Sequence, residues 1–423
     1  MEEVFLTKSG VRVYAYRNPS LHGFYLALYV RAGSLYESEE TAGIGHFLEH
    51  ACIRNVNAMT DGKLYTLLDR YGMEFNAGTY NDMIQFYVSG ASECFERGAR
   101  MITLLFSPLI LTKEEVDLER RRIKAEIRES DDKNTLAGFT AGVLYPDSPL
   151  RLPIVGTNSS VERLTRKRLE EHRRASFVPQ RMFFYVTGNV SDEQIGMLCE
   201  AIDRYDLAVG TAVSSPAYPL AFGKRGAAVQ VKQADFTMLR FNFDLDMAAM
   251  TEAETDLIYD ILFAGYSSRF FLELSEKRGL FYDVSGSVDR YVPVGLLYFS
   301  FEVKGRDVEE TVHLSVELLR RIKRELLMEE EILRAAYVDN AYLLYDDSRE
   351  LNFTLAYSSH ILGARYRSLE DRIAAYRAVT PERVREVARR IFTADNCTLT
   401  IKGNKKKIDT NRLHDILMRL DEE

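Results

Sequence analysis

The chain repeats itself at half its length, and this restricts the folds open to it more than any other feature. The stretch "LYTLLDRYGMEFNAGTYNDMIQFYVSG" at 64–90 falls on "FLELSEKRGLFYDVSGSVDRYVPVGLL" at 271–297, bringing Gly72 onto Gly279, 207 positions later. Each reads as a helix stopped by glycine and followed by an alternating strand. Further on, "FVPQRMFFYVTGNVSDEQI" (177–195) matches "FTADNCTLTIKGNKKKI" (392–408), each a strand closed by a Gly-Asn turn. A period this long predicts two homologous domains. Between them, residues 208–228 have the Gly, Ser and Pro content of a linker, which sets the boundary near 218: an N-terminal domain over 1–217 and a C-terminal domain over 218–423. Within each half the order is strand, strand, helix, helix, strand, strand, several helices, then a final strand and helix. That order predicts an α+β fold, each domain a largely antiparallel sheet covered by helices.

With 423 residues, 46% of them hydrophobic, the chain has enough apolar material for two real cores. A formal charge of −8 argues against nucleic-acid or anionic-membrane partners, which require clustered Lys and Arg. The apolar stretches, such as "FYLALYV", are far too short to span a bilayer. Cys52, Cys94, Cys199 and Cys397 are scattered, with no CxxC pair, and read as reduced core thiols. The opening "MEEVFLTKSGVRVYAYRN" carries neither a secretory nor a transit pattern, so the expected location is the cytoplasm.

Chemistry concentrates in "GIGHFLEHACI" at 43–53. On a helix His46 and His50 are i and i+4, one turn apart on one face, and Glu49 points to nearly the same side. Two imidazoles so placed can chelate one zinc ion. Zinc hydrolases use three protein ligands, keep the fourth position for water, and need a nearby carboxylate as base, a role that suits Glu49. The order H-x-x-E-H is the inverted form of the common zinc-protease helix motif. The third ligand has to come from another element. A second helix is predicted from "TKEEVDLERRRIKAEIRES" (112–130), with a capping box between Thr112 and Glu115. Glu119 and Glu126 lie two turns apart beside its buried stripe of Val116, Ile123 and Ile127. One could ligate zinc; the other could accept a hydrogen bond from a ligand imidazole. In isolation, a carboxylate at 119 flanked by Arg120, Arg121 and Arg122 also reads as a partner in exposed ion pairs.

"HFLEH", followed 76 residues after His50 by the last glutamate of "ERRRIKAE", closely resembles the pitrilysin or insulinase family of metallopeptidases. The likeness extends over essentially the whole chain, taking in "GSLYESEETAGIGHFLEH", "FNAGTYNDMIQFYVS", the two-domain repeat and "SEKRGLFYDVSG". The resemblance implies zinc (Zn2+) as cofactor, His46, His50 and Glu126 as its ligands, Glu49 as general base and Glu119 as a supporting carboxylate. It also implies a peptide substrate added as a strand to the edge strand carrying Phe75, Asn76 and Ala77. Active relatives supply an arginine and, seven residues on, a tyrosine that grip the substrate backbone and the oxyanion. Here Tyr282 matches the tyrosine, but Ser275 stands where arginine would; Arg269 and Arg278 are the nearby alternatives. A chain of this length carries two of the four domains of the family's closed chamber, so the resemblance implies a dimer. The broken pair favours a heterodimer with an insulinase-type subunit that brings arginine and tyrosine. The resulting expectation is a zinc endopeptidase acting on oligopeptides or unfolded segments, or a maturation protease trimming leader peptides with a partner. The rival reading is a non-catalytic or partner-dependent peptide-binding scaffold.

Overall fold

The computed structural model describes residues 1–130, 135–213, 226–232, 236–282, 284–291, 294–345, 348–364 and 366–422. It divides into two compact units, and the 217/218 boundary with most of the linker reading lies outside the described residues. Unit 1 takes in Met1–Asp131, Asp147–Pro216 and Leu343–Leu369; unit 2 takes in Asp132–Pro146, Ala217–Tyr342 and Glu370–Glu423. Each unit therefore borrows a segment from the other half of the sequence.

Unit 1 is built on six strands: β1 (Glu3–Leu6), β2 (Arg12–Arg17), β3 (Gly23–Val30), β4 (Glu74–Thr79), β5 (Ile84–Ala91) and β6 (Met182–Gly188), in the order β1-β2-β6-β3-β5-β4. Only β2 and β6 pair in parallel. The hydrophobic run "FYLALYV" forms β3 in the middle of the sheet, buried at every position from Phe24 to Val30, which explains why it lacks polar alternation. β4 lies at one edge, paired only with β5, Asn76 opposite Tyr87.

Unit 2 repeats the plan with β7 (Ala227–Val231), β8 (Phe236–Asp246), β9 (Ser285–Arg290), β10 (Val294–Lys304) and β11 (Cys397–Gly403), in the order β7-β11-β8-β10-β9. Again one pair, β7 with β11, is parallel. Remove β1 and the two orders correspond strand for strand. Gly72 caps its helix and Gly279 follows its helix, Phe271–Glu276, by three residues, both in the left-handed region, at φ 59° and 62°. The α+β reading thus holds, with two refinements. Unit 1 carries the extra edge strand β1, and in unit 2 β9 begins only at Ser285, leaving Tyr282 ahead of the strand instead of on it.

The borrowed segments are tied in by polar groups. In unit 1, Asn352 on the helix Arg349–Ala356 accepts from Tyr29 Oη (2.9 Å) and donates to the carbonyls of Tyr25 (3.2 Å) and Tyr185 (3.0 Å). Asn352 and Tyr29 are fully buried. In unit 2, Thr140 on the helix Leu136–Leu144 shares a hydrogen bond with Thr400 of β11 (2.7 Å). Among the described residues no helix is long and apolar enough to cross a membrane.

Candidate metal centre

The histidine helix, Ile44–Met59, is built from a stripe of Phe47, Leu48, Ala51, Cys52, Asn55 and Val56 that goes into the core of unit 1. His46 and His50 flank that stripe, half-buried. The helix starts under close restraint. Gly43 sits at φ 84° with its Cα against Gly156, where a Cβ would come within 2.7 Å of backbone. The amides of Gly43 and Gly45 donate to the two oxygens of Glu37, at 2.7 and 2.8 Å. Glu37 is the carboxylate that this helix N-terminus calls for; burial pushes its pKa up to about 7 against those two hydrogen bonds.

The glutamate helix, Lys113–Ser130, begins with the expected capping box: Thr112 N donates to Glu115 Oε2 (2.8 Å) and Glu115 N to Thr112 Oγ1 (3.2 Å). It buries Val116, Glu119 and Ile123. Glu126 brings its oxygens to 3.6 Å from His46 Nε2 and 3.7 Å from His50 Nε2. One ligand atom from each of His46, His50 and Glu126 lies within 4.8 Å of the others, and among the described residues no other group of three or more His, Cys, Asp or Glu does so.

The donor set suits a metal of zinc's type. His46 Nδ1 is buried without a hydrogen-bond partner, and burial, aided by the neighbouring His50, pushes its pKa down to about 3, so the ring is neutral with a lone pair to offer. His50 Nδ1 donates to Glu119 Oε2 (3.2 Å), which leaves Nε2 as the lone-pair nitrogen facing Glu126. Burial opposes protonation of His50, but the hydrogen bond to Glu119 and the charges of Glu49, Glu126 and Glu119 together hold its pKa above the ordinary value. Burial also works against ionisation of Glu119, yet His50, Arg54 and Arg122 outweigh it and lower its pKa. Glu119 is 3% exposed; of the neighbouring arginines Arg122 does pair with it (3.0 Å), but Arg120 turns elsewhere, donating to the carbonyls of Val161 and Leu164, so the carboxylate itself is buried and not an exposed ion-pair partner.

Glu49 is buried beside the cluster, and burial raises its pKa; the hydroxyl of Thr79, at the end of β4, donates to its Oε2 (2.6 Å). Thr79, Arg54 and Glu37 escaped the sequence reading. Only Arg54 had a signal, standing i+4 from His50 on the same helical face. Of the proposed substrate strand, Phe75 is buried in the core, Asn76 is exposed and Ala77 half-buried, so the backbone of β4 is what this edge offers.

The second-half residues stand in unit 2. Tyr282 is 96% exposed. Ser275 Oγ donates to the carbonyl of Phe281 (2.9 Å), Arg278 pairs with Glu273 (3.2 Å) and Arg269 with Glu331 (3.1 Å). The helix Glu252–Leu262, counterpart of the histidine helix, carries a buried ion network instead: Asp256 pairs with Arg290, and Arg372 with Asp339 (2.7 Å).

Residues 12–157 match the family model described as insulinase (peptidase family M16), and 163–336 match that of the M16 peptidase inactive domain. The chain belongs to the M16, or insulinase, family. Its M16 relatives include an uncharacterized zinc protease of Streptomyces coelicolor, 25% identical over 419 residues, which span 96% of this chain and 90% of the relative. A protease of Helicobacter pylori shares the fold with a TM-score of 0.81 at 17% identity, over 95% of this chain and 99% of that one. The periplasmic protease PqqL of Escherichia coli is also similar in fold, with a TM-score of 0.80 at 16% identity. All of this chain corresponds to 50% of PqqL.

Proposed function

We propose that this M16 protein is a zinc-dependent endopeptidase acting on oligopeptides or unfolded segments. One observation carries the proposal: His46, His50 and Glu126 converge to within 4.8 Å of one another, with Glu49 buried alongside. Zinc as the metal is supported by relatives named as zinc proteases. Bound there, zinc would supply a Lewis acid that polarises the substrate carbonyl and acidifies a water. The residues of the chain do the rest. Glu119 fixes the His50 tautomer, and Thr79 holds Oε2 of Glu49, leaving Oε1 for a proton. Glu49 takes that proton from water as the water oxygen adds to the peptide carbonyl, then gives it to the leaving amine as the C–N bond breaks. The backbone of β4 around Phe75, Asn76 and Ala77 holds the substrate by strand addition, which tolerates many sequences.

The test is Glu49→Gln. The variant is expected to bind zinc in the same ratio as the parent and lose hydrolysis by on the order of 10²–10⁴-fold. Retained hydrolysis would end the mechanism.

Association with a second insulinase-type subunit belongs to the same proposal, supported by Ser275 at the arginine position with its hydroxyl engaged locally, and by Arg269 and Arg278 being held in ion pairs. That subunit would complete the grip to which Tyr282 contributes. Those same features support the second reading, a partner-dependent peptide-binding subunit without its own activity. Zinc content with cleavage only on co-purification with a partner favours the heterodimer, including a leader-trimming role; zinc and peptide binding without cleavage in either state favours the scaffold. Cytoplasmic placement is supported by Cys52, Cys94 and Cys199, which form no disulfide.

A further inference from the structure

Beside the metal centre, within unit 1, a cavity of about 510 Å³ is walled by Arg54, Asn57, Tyr65, Asn76, Glu119 and Arg122, among others. Its wall carries two guanidiniums, Arg54 and Arg122, and two carboxylates, Glu49 and Glu119, but the guanidinium donors are not all used. Arg54 Nε and Arg122 Nη1 (3.0 Å) both donate to the same oxygen of Glu119, whose other oxygen is occupied by His50 Nδ1. Two guanidiniums thus share one carboxylate oxygen, and among the described residues neither Arg54 nor Arg122 has its terminal nitrogens engaged beyond that single Arg122 bond. Glu49, the other acid on the wall, is held by Thr79. Besides His50, the remaining polar side chains are the amides of Asn57 and Asn76 and the phenol of Tyr65, and Asn76 belongs to the edge strand β4. Arg54 has 17% of its side chain exposed and Arg122 57%, so one guanidinium is partly shielded and the other is reachable from solvent. Unspent guanidinium donors in a partly shielded cavity are the arrangement that recognises a carboxylate.

We propose that this cavity is a specificity pocket selecting an acidic side chain, Asp or Glu, of the peptide near its scissile bond, with Arg54 and Arg122 as the specificity residues. The inference rests on the peptidase reading for the word scissile, but not for the binding preference itself. Because the selection is electrostatic, it weakens as salt rises.

The test uses the full chain carrying Glu49→Gln and fluorescent peptides of one length in which Glu, Gln or Lys is placed at each successive position, read by anisotropy. At one position the Glu peptide is expected to bind on the order of fivefold tighter than the Gln peptide, the scale of a partly exposed ion pair. Arg122→Gln should shrink that ratio and Arg122→Glu should turn it in favour of Lys. Equal binding of the three peptides at every position overturns the inference. So does a shift that the Arg122 variants impose equally on all three, since a structural effect on Glu119 would act that way. The same peptides given to the zinc-loaded parent separate the two readings. Cleavage without a charge preference sinks the pocket, whereas a charge preference in binding without any cleavage, by the chain alone or co-purified with a partner, sinks the peptidase and leaves the pocket standing. Failure of every peptide to bind overturns both.

Discussion

Glu119 serves three partners with two oxygens: His50 Nδ1 on one, Arg54 and Arg122 on the other. A carboxylate nearly closed off from solvent keeps its charge only because those partners supply it with donors. Its removal should be felt first at the metal. Glu119→Gln is expected to weaken zinc affinity about 10–100-fold, the usual effect of losing a partner behind a ligand histidine, as read by competition with a chromophoric chelator. An unchanged affinity would mean that His50 is oriented by its own packing. How far the sequence foretold this site also shows here. The spacing of His46, Glu49 and His50 was readable, because a single helix sets the direction of all three. That Glu119 goes to Nδ1 and Glu126 to the Nε2 side was not readable from spacing, since both stand on one side of their helix; only the family resemblance put Glu126 at the metal and Glu119 behind it. The difference arises from the approach of the two helices, which leaves the Glu119 side chain 4% exposed and the Glu126 side chain 42%.

Among the elements, β4 is the informative one. It is an edge strand whose inner side is taken by β5, with Phe75 anchored in the core, and its outer edge has no strand paired to it among the described residues. A peptide added there would point every second N–H at β4 and the alternate ones away. N-methyl scanning of a bound peptide should therefore give a two-residue period, each methyl on the β4-facing parity weakening binding about fivefold, the loss of one hydrogen bond. Uniform tolerance would exclude strand addition. β9 marks where pattern reading slipped. The repeat carried alternation directly on from Gly279, but the strand begins at Ser285. The intervening turn is tied by Ser275 Oγ to the carbonyls of Phe281 and Tyr282, at 2.9 and 3.5 Å, a bond between loop and preceding helix that no alternation records.

For the whole molecule, the exchange of segments matters most. The helix Arg349–Ala356, from the second half of the chain, satisfies the buried Tyr29 hydroxyl and the carbonyls of Tyr25 and Tyr185 through one side chain, Asn352. Asn352→Leu keeps the branched side-chain shape and deprives all three, so it should lower stability by about 1–3 kcal/mol, more if no water enters. The midpoint of denaturant unfolding is the measurement, and an unchanged midpoint would show that water replaces the amide. Periodicity and the half-length repeat were enough to place the helices, the succession of strands and helices along each half and the histidine pair, since helix and strand periods and the histidine spacing depend on neighbours a few residues away. Which carboxylate meets which imidazole nitrogen, which hydroxyl steadies Glu49, and which half of the chain lends a helix to the other sheet all came from closure of the fold. These are pairings between residues tens to hundreds of positions apart, and their geometry exists only once both cores have formed.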